Sequence, residues 1–132
     1  MLLLPDTNVW IRLIKGKSPS LIASWRGVAV EDLIVCAIVK GELWHGAHKY
    51  ENPDRRRTVV DFWLSPYQSL PFDDAAARHY ADIRHHLESR GEVIGPNDLK
   101  IAAICLAHDV TLVSANVGEF RRVPGLRVED WS

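Results

Sequence analysis

Short apolar runs alternate along this chain with longer segments in which apolar residues recur at helical spacing. Runs of four or fewer apolar-rich residues bounded by Pro, Gly or Asp are typical of buried strands, and near-continuous apolar character is typical of parallel sheets covered on both faces. The predicted strands cover residues 2–4, 33–36, 67–70 and 110–113, with a final edge strand at 126–128.

Helices are predicted between these runs. The first begins after the capping side chain of Asp6 and ends at Gly16, and the third extends from about residue 37 to Tyr50. The helix that opens at Pro96 is apolar on most of its circumference, so we expect it to be buried on more than one side. The predicted helices begin near residues 7, 19, 37, 53, 74 and 96, and residues 116–120 form a turn or a short helix.

Strands that alternate with helices imply parallel βαβ units. The predicted fold is therefore α/β, a three-layer α/β/α sandwich around a central, mostly parallel sheet. With no internal repeat or linker, residues 1–132 are expected to form one domain. One local conflict is Pro5, which has no N–H to donate at the end of a strand expected to be central.

Composition narrows the class of protein. The chain has 132 residues and is 47% hydrophobic and 25% charged, which is typical of a globular domain and excludes a disordered or fibrous one. The opening apolar residues meet Pro5 and Asp6 at once, and no apolar run is long enough to span a membrane, so a cytoplasmic protein is expected. Cys36 and Cys105 stand in apolar surroundings and are predicted to be buried thiols in a reducing compartment.

The charge balance excludes a broadly basic surface. Lys and Arg number 16 and Asp and Glu number 17, which gives a formal net charge of −1. Binding to nucleic acid would then depend on local basic clusters, such as those at residues 55–57, 78–90 and 121–122. Any one of these clusters is also explained as a solvated helix face.

Acidic side chains are predicted to meet at one edge of the sheet. Asp6 directly follows the first strand, and Asn116 and Glu119 directly follow the fourth. Asp98 opens the helix that leads into the fourth strand, and Glu42 lies in the helix after the second strand, at the border of its apolar face. Binding sites of open α/β sheets form outside the carboxyl ends of the strands.

Each of these residues also has a purely structural explanation. Asp6 is a suitable helix cap, Asp98 stands where the helix dipole favours an acid, and Glu42 fits a half-exposed surface position. Asn116 and Glu119 suit a turn. Their convergence is more specific than any one of them, because packed carboxylates repel and need a cation. Oxygen ligands without cysteine suit Mg²⁺, or Mn²⁺ in its place.

Four segments resemble the four motifs of PIN-domain proteins, in the family's order and at its spacing. The last ten or so residues, which end at Trp131, resemble the VapC toxins of bacterial VapBC toxin–antitoxin modules. The similarity extends over essentially the whole chain. The segments are LPDTNV at 4–9, GELWHGA at 41–47, IGPNDLKIAA at 94–103 and LVSANVGEF at 112–120.

This resemblance implies a Mg²⁺-dependent endoribonuclease that arrests translation, forms a homodimer and is inhibited by a cognate VapB-like antitoxin. Asp6, Glu42 and Asp98 match the family's three principal acids, and Glu119 supplies a further one. Asn116 stands where many members have Asp, and would serve as a neutral ligand or position a water.

The RNA substrate is expected to be a transfer RNA cut in an accessible loop. Thr7 and Ser114 are expected to order the carboxylates or waters by hydrogen bonding. Basic residues near the acids are needed to guide the RNA backbone. The candidates are Arg12, Arg84, Lys100 and Arg121.

Two other functions stay open at this point. One is a catalytically inactive PIN-like interaction module. The other is a receiver-like domain that binds Mg²⁺ and accepts a phosphoryl group on Asp, although the chain lacks the paired acids and the lysine such a domain needs.

Aromatic and apolar residues on the third and fourth helices exceed what one small core needs. We expect these helices to form a homodimer contact and part of the antitoxin groove, the alternative being that these residues are core. They are Trp44, Tyr50, Val59, Val60 and Trp63.

Overall fold

The computed structural model, which describes residues 1–132, contains five short parallel strands. Their order across the molecule is β3-β2-β1-β4-β5, and a single bridge between Leu3 and Leu33 connects the pair β2-β3 to the other three strands. This confirms the predicted α/β class and the parallel sheet. The strands are β1 (Leu3–Pro5), β2 (Ile34–Cys36), β3 (Gln68–Leu70), β4 (Thr111–Val113) and β5 (Val128–Glu129).

Both faces of the three inner strands are covered. Every residue of β1, β2 and β4 is buried, and successive side chains of a strand point to opposite faces, so each face packs under helices. Leu4 lies opposite Leu112 in the register of β1 and β4. The edge strands differ, because β3 and β5 are only partly buried. The last strand begins at Val128, two residues later than predicted.

Pro5 lies inside β1 without losing a hydrogen bond to β4. The amide of Asp6 donates to the carbonyl of Val113 at 2.9 Å, and the amide of Thr111 donates to the carbonyl of Leu2 at 2.9 Å. Alternate residues of β1 therefore bond to β4, and the nitrogen of Pro5 faces the other way. On that side the only bridge to β2 is at Leu3, so the missing N–H of Pro5 removes no hydrogen bond from the sheet.

Seven α-helices surround the sheet. Asp6, Asn52 and Asp73 cap three of them by accepting a hydrogen bond from a backbone amide three residues on. The helices are α1 (Thr7–Lys15), α2 (Pro19–Arg26), α3 (Ala37–Gly46), α4 (Pro53–Leu64), α5 (Asp74–Ser89), α6 (Pro96–His108) and α7 (Val117–Phe120).

The predicted extent of α3 was wrong. The helix ends at Gly46 and continues only as a 3₁₀ turn over Ala47–Lys49. Pro53 disfavours helical backbone at the residue before it, and Asn52 is extended with φ −122° and ψ 93°. The chain therefore leaves the helix early, and Tyr50, expected on its buried face, is 41% exposed.

Thirty buried residues form one hydrophobic cluster, in which Trp10 is the largest fully buried side chain. As predicted, α6 is buried on more than one side: Leu99, Ile101 and Ala103 are all buried. Cys36 and Cys105 are free and buried, as expected. No helix of the structure is both long enough and apolar enough to cross a membrane.

Candidate metal centre at the carboxyl end of the sheet

Asp6 is the most buried acid of the candidate site, with 7% of its surface exposed. It follows β1 and also caps α1, because its Oδ1 accepts a hydrogen bond from the amide of Val9 at 2.9 Å. The pKa of Asp6 is raised, first by burial and further by the negative charge of Glu42. Hydrogen bonds from the Ser114 side chain and the Val9 amide oppose this shift without cancelling it. Capping explains why the carboxylate points where it does, since the Val9 amide fixes one of its oxygens.

Glu42 is held by side chains from two other helices. Its Oε1 accepts a hydrogen bond from the hydroxyl of Thr7, at the start of α1. Its Oε2 accepts one from the amide of Asn97, at the start of α6, at 3.4 Å. Glu42 is half-buried at the border of the apolar face of α3, as the helical spacing predicted.

Asp98 lies in the first turn of α6 and is half-buried. Its pKa is raised to about 6, first by burial and then by the negative charges of Glu42, Asp6 and Glu119. Each of these three carboxylates is therefore close enough to repel Asp98. The four acids predicted from the sequence do converge at the carboxyl end of β1 and β4.

Asn116 and Glu119 form a pair at the start of α7. The side-chain nitrogen Nδ2 of Asn116 donates a hydrogen bond to Oε2 of Glu119 at 2.8 Å. The backbone amide of Asn116 donates to Oγ of Ser114 at 2.9 Å, and Ser114 is fully buried directly after β4. Ser114 thus connects Asp6 to the Asn116–Glu119 pair, which supports its predicted ordering role.

The donor set fits a hard divalent cation. None of the ion pairs of the structure includes Asp6, Glu42, Asp98 or Glu119, so nothing in the chain neutralises them. No three His, Cys, Asp or Glu side chains are arranged as a ready-made metal cage. Mg²⁺ does not need one, because it keeps several waters and takes only one or two protein carboxylates together with substrate phosphate.

Comparison with known proteins shows the family. A family model described as PIN domain matches residues 3–126. Ribonuclease VapC2 of Haemophilus influenzae is 36% identical over 126 residues, which cover 96% of this chain and 95% of the relative. The chain belongs to the PIN-domain family, in its VapC ribonuclease group.

A second relative and a solved structure support the same family. The tRNA(fMet)-specific endonuclease VapC of Shigella flexneri is 35% identical over 127 residues, or 96% of each chain. The crystal structure of VapBC2 from Rickettsia felis, bound to a DNA fragment from its promoter, superimposes with a TM-score of 0.92. It is 30% identical, and the match covers 100% of both chains. The predicted family and fold are confirmed.

The structure separates the four basic residues expected to guide RNA. Arg12 lines a cavity of about 340 Å³ together with Asp6 and Asn116, so it lies beside the PIN-domain carboxylates. Arg84 is instead engaged on α5, where it pairs with Glu88 at 3.5 Å. Lys100 is half-buried and Arg121 is exposed, and neither lines a cavity that contains one of the acids.

Asn97 is the site residue that the sequence analysis did not assign. It precedes Asp98 in the first turn of α6 and reaches Glu42, 55 positions away in the chain. Its position could have indicated a role, because Asn97 directly precedes Asp98 in the first turn of α6. A polar residue there lies at the same edge of the sheet as the acid. The contact itself depends on how α6 packs against α3, which no local pattern shows.

Proposed function

We propose that this protein is a Mg²⁺-dependent endoribonuclease toxin that hydrolyses a transfer RNA and is held inactive by a VapB-like antitoxin. The observation that carries the proposal is the set of four carboxylates at the carboxyl end of the sheet, none of which is neutralised by a basic side chain. Membership in the VapC group supports the reaction class.

Asp6 and Asp98 are the residues proposed to hold Mg²⁺, with Glu42 and Glu119 as further ligands, direct or through water. When bound, the ion lowers the pKa of a water molecule and neutralises negative charge on the phosphodiester that is cut. The carboxylates repel one another without it, and this repulsion is what makes the site selective for a cation.

The surrounding side chains have positioning roles in this proposal. Thr7 and Asn97 fix the two oxygens of Glu42, so that its carboxylate does not have to be ordered when substrate arrives. Asn116 is neutral, and we assign it to orienting a water or a ligand oxygen beside Glu119. Arg12 lines the same cavity as Asp6 without pairing with it, and we assign it to attracting an approaching phosphate.

Transfer RNA is the proposed substrate because one relative, 35% identical over nearly the whole chain, is a tRNA(fMet)-specific endonuclease. Initiator transfer RNA is therefore the first RNA to test. An anticodon loop offers an unpaired strand whose backbone can enter an open site, and the reaction would take place in the cytoplasm.

An antitoxin is the proposed partner, because the solved complexes that this chain resembles are VapBC assemblies. We also propose a homodimer formed by α3 and α4. Trp44 and Phe62 are 37% and 77% exposed on these neighbouring helices, which are connected by a hydrogen bond from Trp44 Nε1 to Asp61 at 2.8 Å. Two residues expected on this surface pack within the chain instead: Val60 is a core residue, 1% exposed, and Trp63 packs partly on Trp25, at 5.3 Å between ring centres.

The proposed function is tested by incubating the purified chain with initiator transfer RNA, other transfer RNAs and an unstructured RNA. In Mg²⁺ we expect one dominant cut in transfer RNA, no cut in EDTA, and recovery when Mn²⁺ is added. Stable binding without cleavage in either metal would favour the inactive interaction module instead.

Phe62→Glu is expected to convert the homodimer to a monomer, because it places a charge where an apolar ring is buried between copies. Light scattering measures the mass directly. Val30→Glu, which changes another half-exposed apolar residue away from α3 and α4, is the matched control and should stay dimeric. A wild-type mass of about 15 kDa at tens of micromolar would contradict the homodimer itself.

A further inference from the structure

Three neighbouring cavities that share lining residues follow α3 from Glu42 to the start of α4. The inner cavity has a volume of about 470 Å³ and is lined by Glu42 and Lys49. The middle cavity, about 200 Å³, shares both residues with the inner cavity and adds Lys15. The outer cavity, about 690 Å³, shares Tyr50 and Arg56 with the middle cavity. We name this surface the α3 groove.

The α3 groove is lined by cations that are not paired with an acid of the chain. Lys15, Lys49 and Arg56 form no ion pair, since every ion pair of the structure lies elsewhere. The guanidinium of Arg56 lies 4.2 Å from the centre of the Tyr50 ring, which holds it over the groove. Arg55 also lines the outer cavity and forms no ion pair, so four unpaired cations and two acids, Glu42 and Glu51, line the groove. In a protein of net charge −1 this is a local excess of positive charge.

The dimensions of the α3 groove match a nucleic-acid strand. Glu42 and Lys49 are separated by seven residues of helix and 3₁₀ turn, or about 11 Å along the axis. At about 3.4 Å per phosphate in a stacked strand, this distance corresponds to about three phosphates. When one phosphodiester lies at the acids, the next phosphates in one direction of the strand would therefore lie beside Lys49 and then Arg56.

We propose that the α3 groove carries the RNA strand on one side of the cut, with Lys15, Lys49 and Arg56 holding its phosphates. This inference rests on the proposed function, because the acids are taken as the place of cleavage. An acidic protein segment would also be attracted to these cations. RNA is favoured because Glu42, one of the acids at the proposed place of cleavage, lines the groove, so a strand that is cut there continues along the surface beside it.

The test measures binding of fluorescently labelled initiator transfer RNA by anisotropy, between about 50 and 200 mM KCl in Mg²⁺. All proteins carry Asp98→Asn so that the RNA is not cut. Lys49→Ala combined with Arg56→Ala should weaken binding at least tenfold and lower the salt slope by about 1.4, or 0.7 for each phosphate contact. Lys17→Ala, an exposed lysine outside the groove, is the control and should bind within about twofold of the parent.

Equal affinity and equal salt slope for the double variant and the control would overturn the proposal. Unchanged RNA binding together with lost binding of polyglutamate would assign the groove to an acidic protein segment, and would overturn it as well. Circular dichroism and melting confirm that the variants are folded. Cleavage by the protein with native Asp98 is measured in parallel, so that a failure of the proposed function is seen separately from a failure of the groove.

Discussion

The Asp98→Asn protein is expected to lose Mg²⁺-dependent RNA cleavage by about a hundredfold or more while keeping its fold. The substitution changes almost no volume and removes one negative ligand from a site where charge stabilisation supplies most of the rate. Asp98 also lies at the centre of the cluster, since the charges of Asp6, Glu42 and Glu119 all raise its pKa. Initial rates on a transfer RNA that the wild type cuts measure the effect.

Asp82→Asn is the matched control for this prediction, because Asp82 is an exposed acid on α5 that makes no ion pair. It should cleave at the wild-type rate. If Asp98→Asn keeps more than about a tenth of the wild-type cleavage rate in Mg²⁺, Asp98 is not a ligand of the catalytic ion.

The same variant is expected to be more stable than the wild type when metal is removed. A pKa of about 6 for Asp98, against an ordinary value of 3.8, means that the folded protein disfavours the charged form. The difference corresponds to at most roughly 3 kcal/mol at neutral pH, and solvent screening of this half-exposed group lowers it. We expect Asp98→Asn to gain about 1–2 kcal/mol in EDTA, or about 3–6 °C in Tm.

The pH dependence of this gain has a definite sign. The folded-state pKa is raised, so the folded protein binds the proton more tightly than the unfolded chain does. The contribution of Asp98 to wild-type stability should therefore fall as pH rises from about 4 to about 6, whereas the amide of the Asp98→Asn variant cannot ionise. The Tm difference in EDTA should be small near pH 4, grow across this range and level off above it.

Added metal should narrow the difference in stability between the two proteins. Mn²⁺ at about a hundred times its Kd stabilises a folded protein by about 2.7 kcal/mol, and Asp98→Asn binds it less tightly. The wild type should therefore gain more in Tm than the variant when Mn²⁺ replaces EDTA. Identical melting of the two proteins in EDTA, with equal responses to Mn²⁺, would show that the acids do not share one site.

Much of the fold could be predicted because its signals are local. The inner strands are short apolar runs, and the capping residues Asp6 and Asp73 mark where helices begin. The end of α3 was predicted wrongly although its signal is local, because Asn52 and Pro53 require extended backbone soon after Gly46. The strand order was not predicted, because it is set by packing between segments far apart in the chain.

The acids of the site were predictable for a topological reason. In a parallel sheet the residues that follow the strands lie at one edge, so Asp6 and Glu119 had to be near each other once β1 and β4 were recognised as strands. The hydrogen bonds that fix Glu42 could not be predicted, since Thr7 and Asn97 come from helices 35 and 55 positions away. The α3 groove was not predicted either, because only Arg56 lies in a basic cluster of the sequence and nothing local connects it to Lys15 and Lys49.

Direct titration of Mn²⁺ into the metal-free protein, followed by calorimetry, tests most directly whether the four acids form one metal centre. We expect the wild type and Asp82→Asn to bind Mn²⁺ saturably. Asp98→Asn and Glu42→Gln should bind it at least tenfold more weakly. Equal Mn²⁺ affinity for all four proteins would contradict a shared centre at the carboxyl end of the sheet.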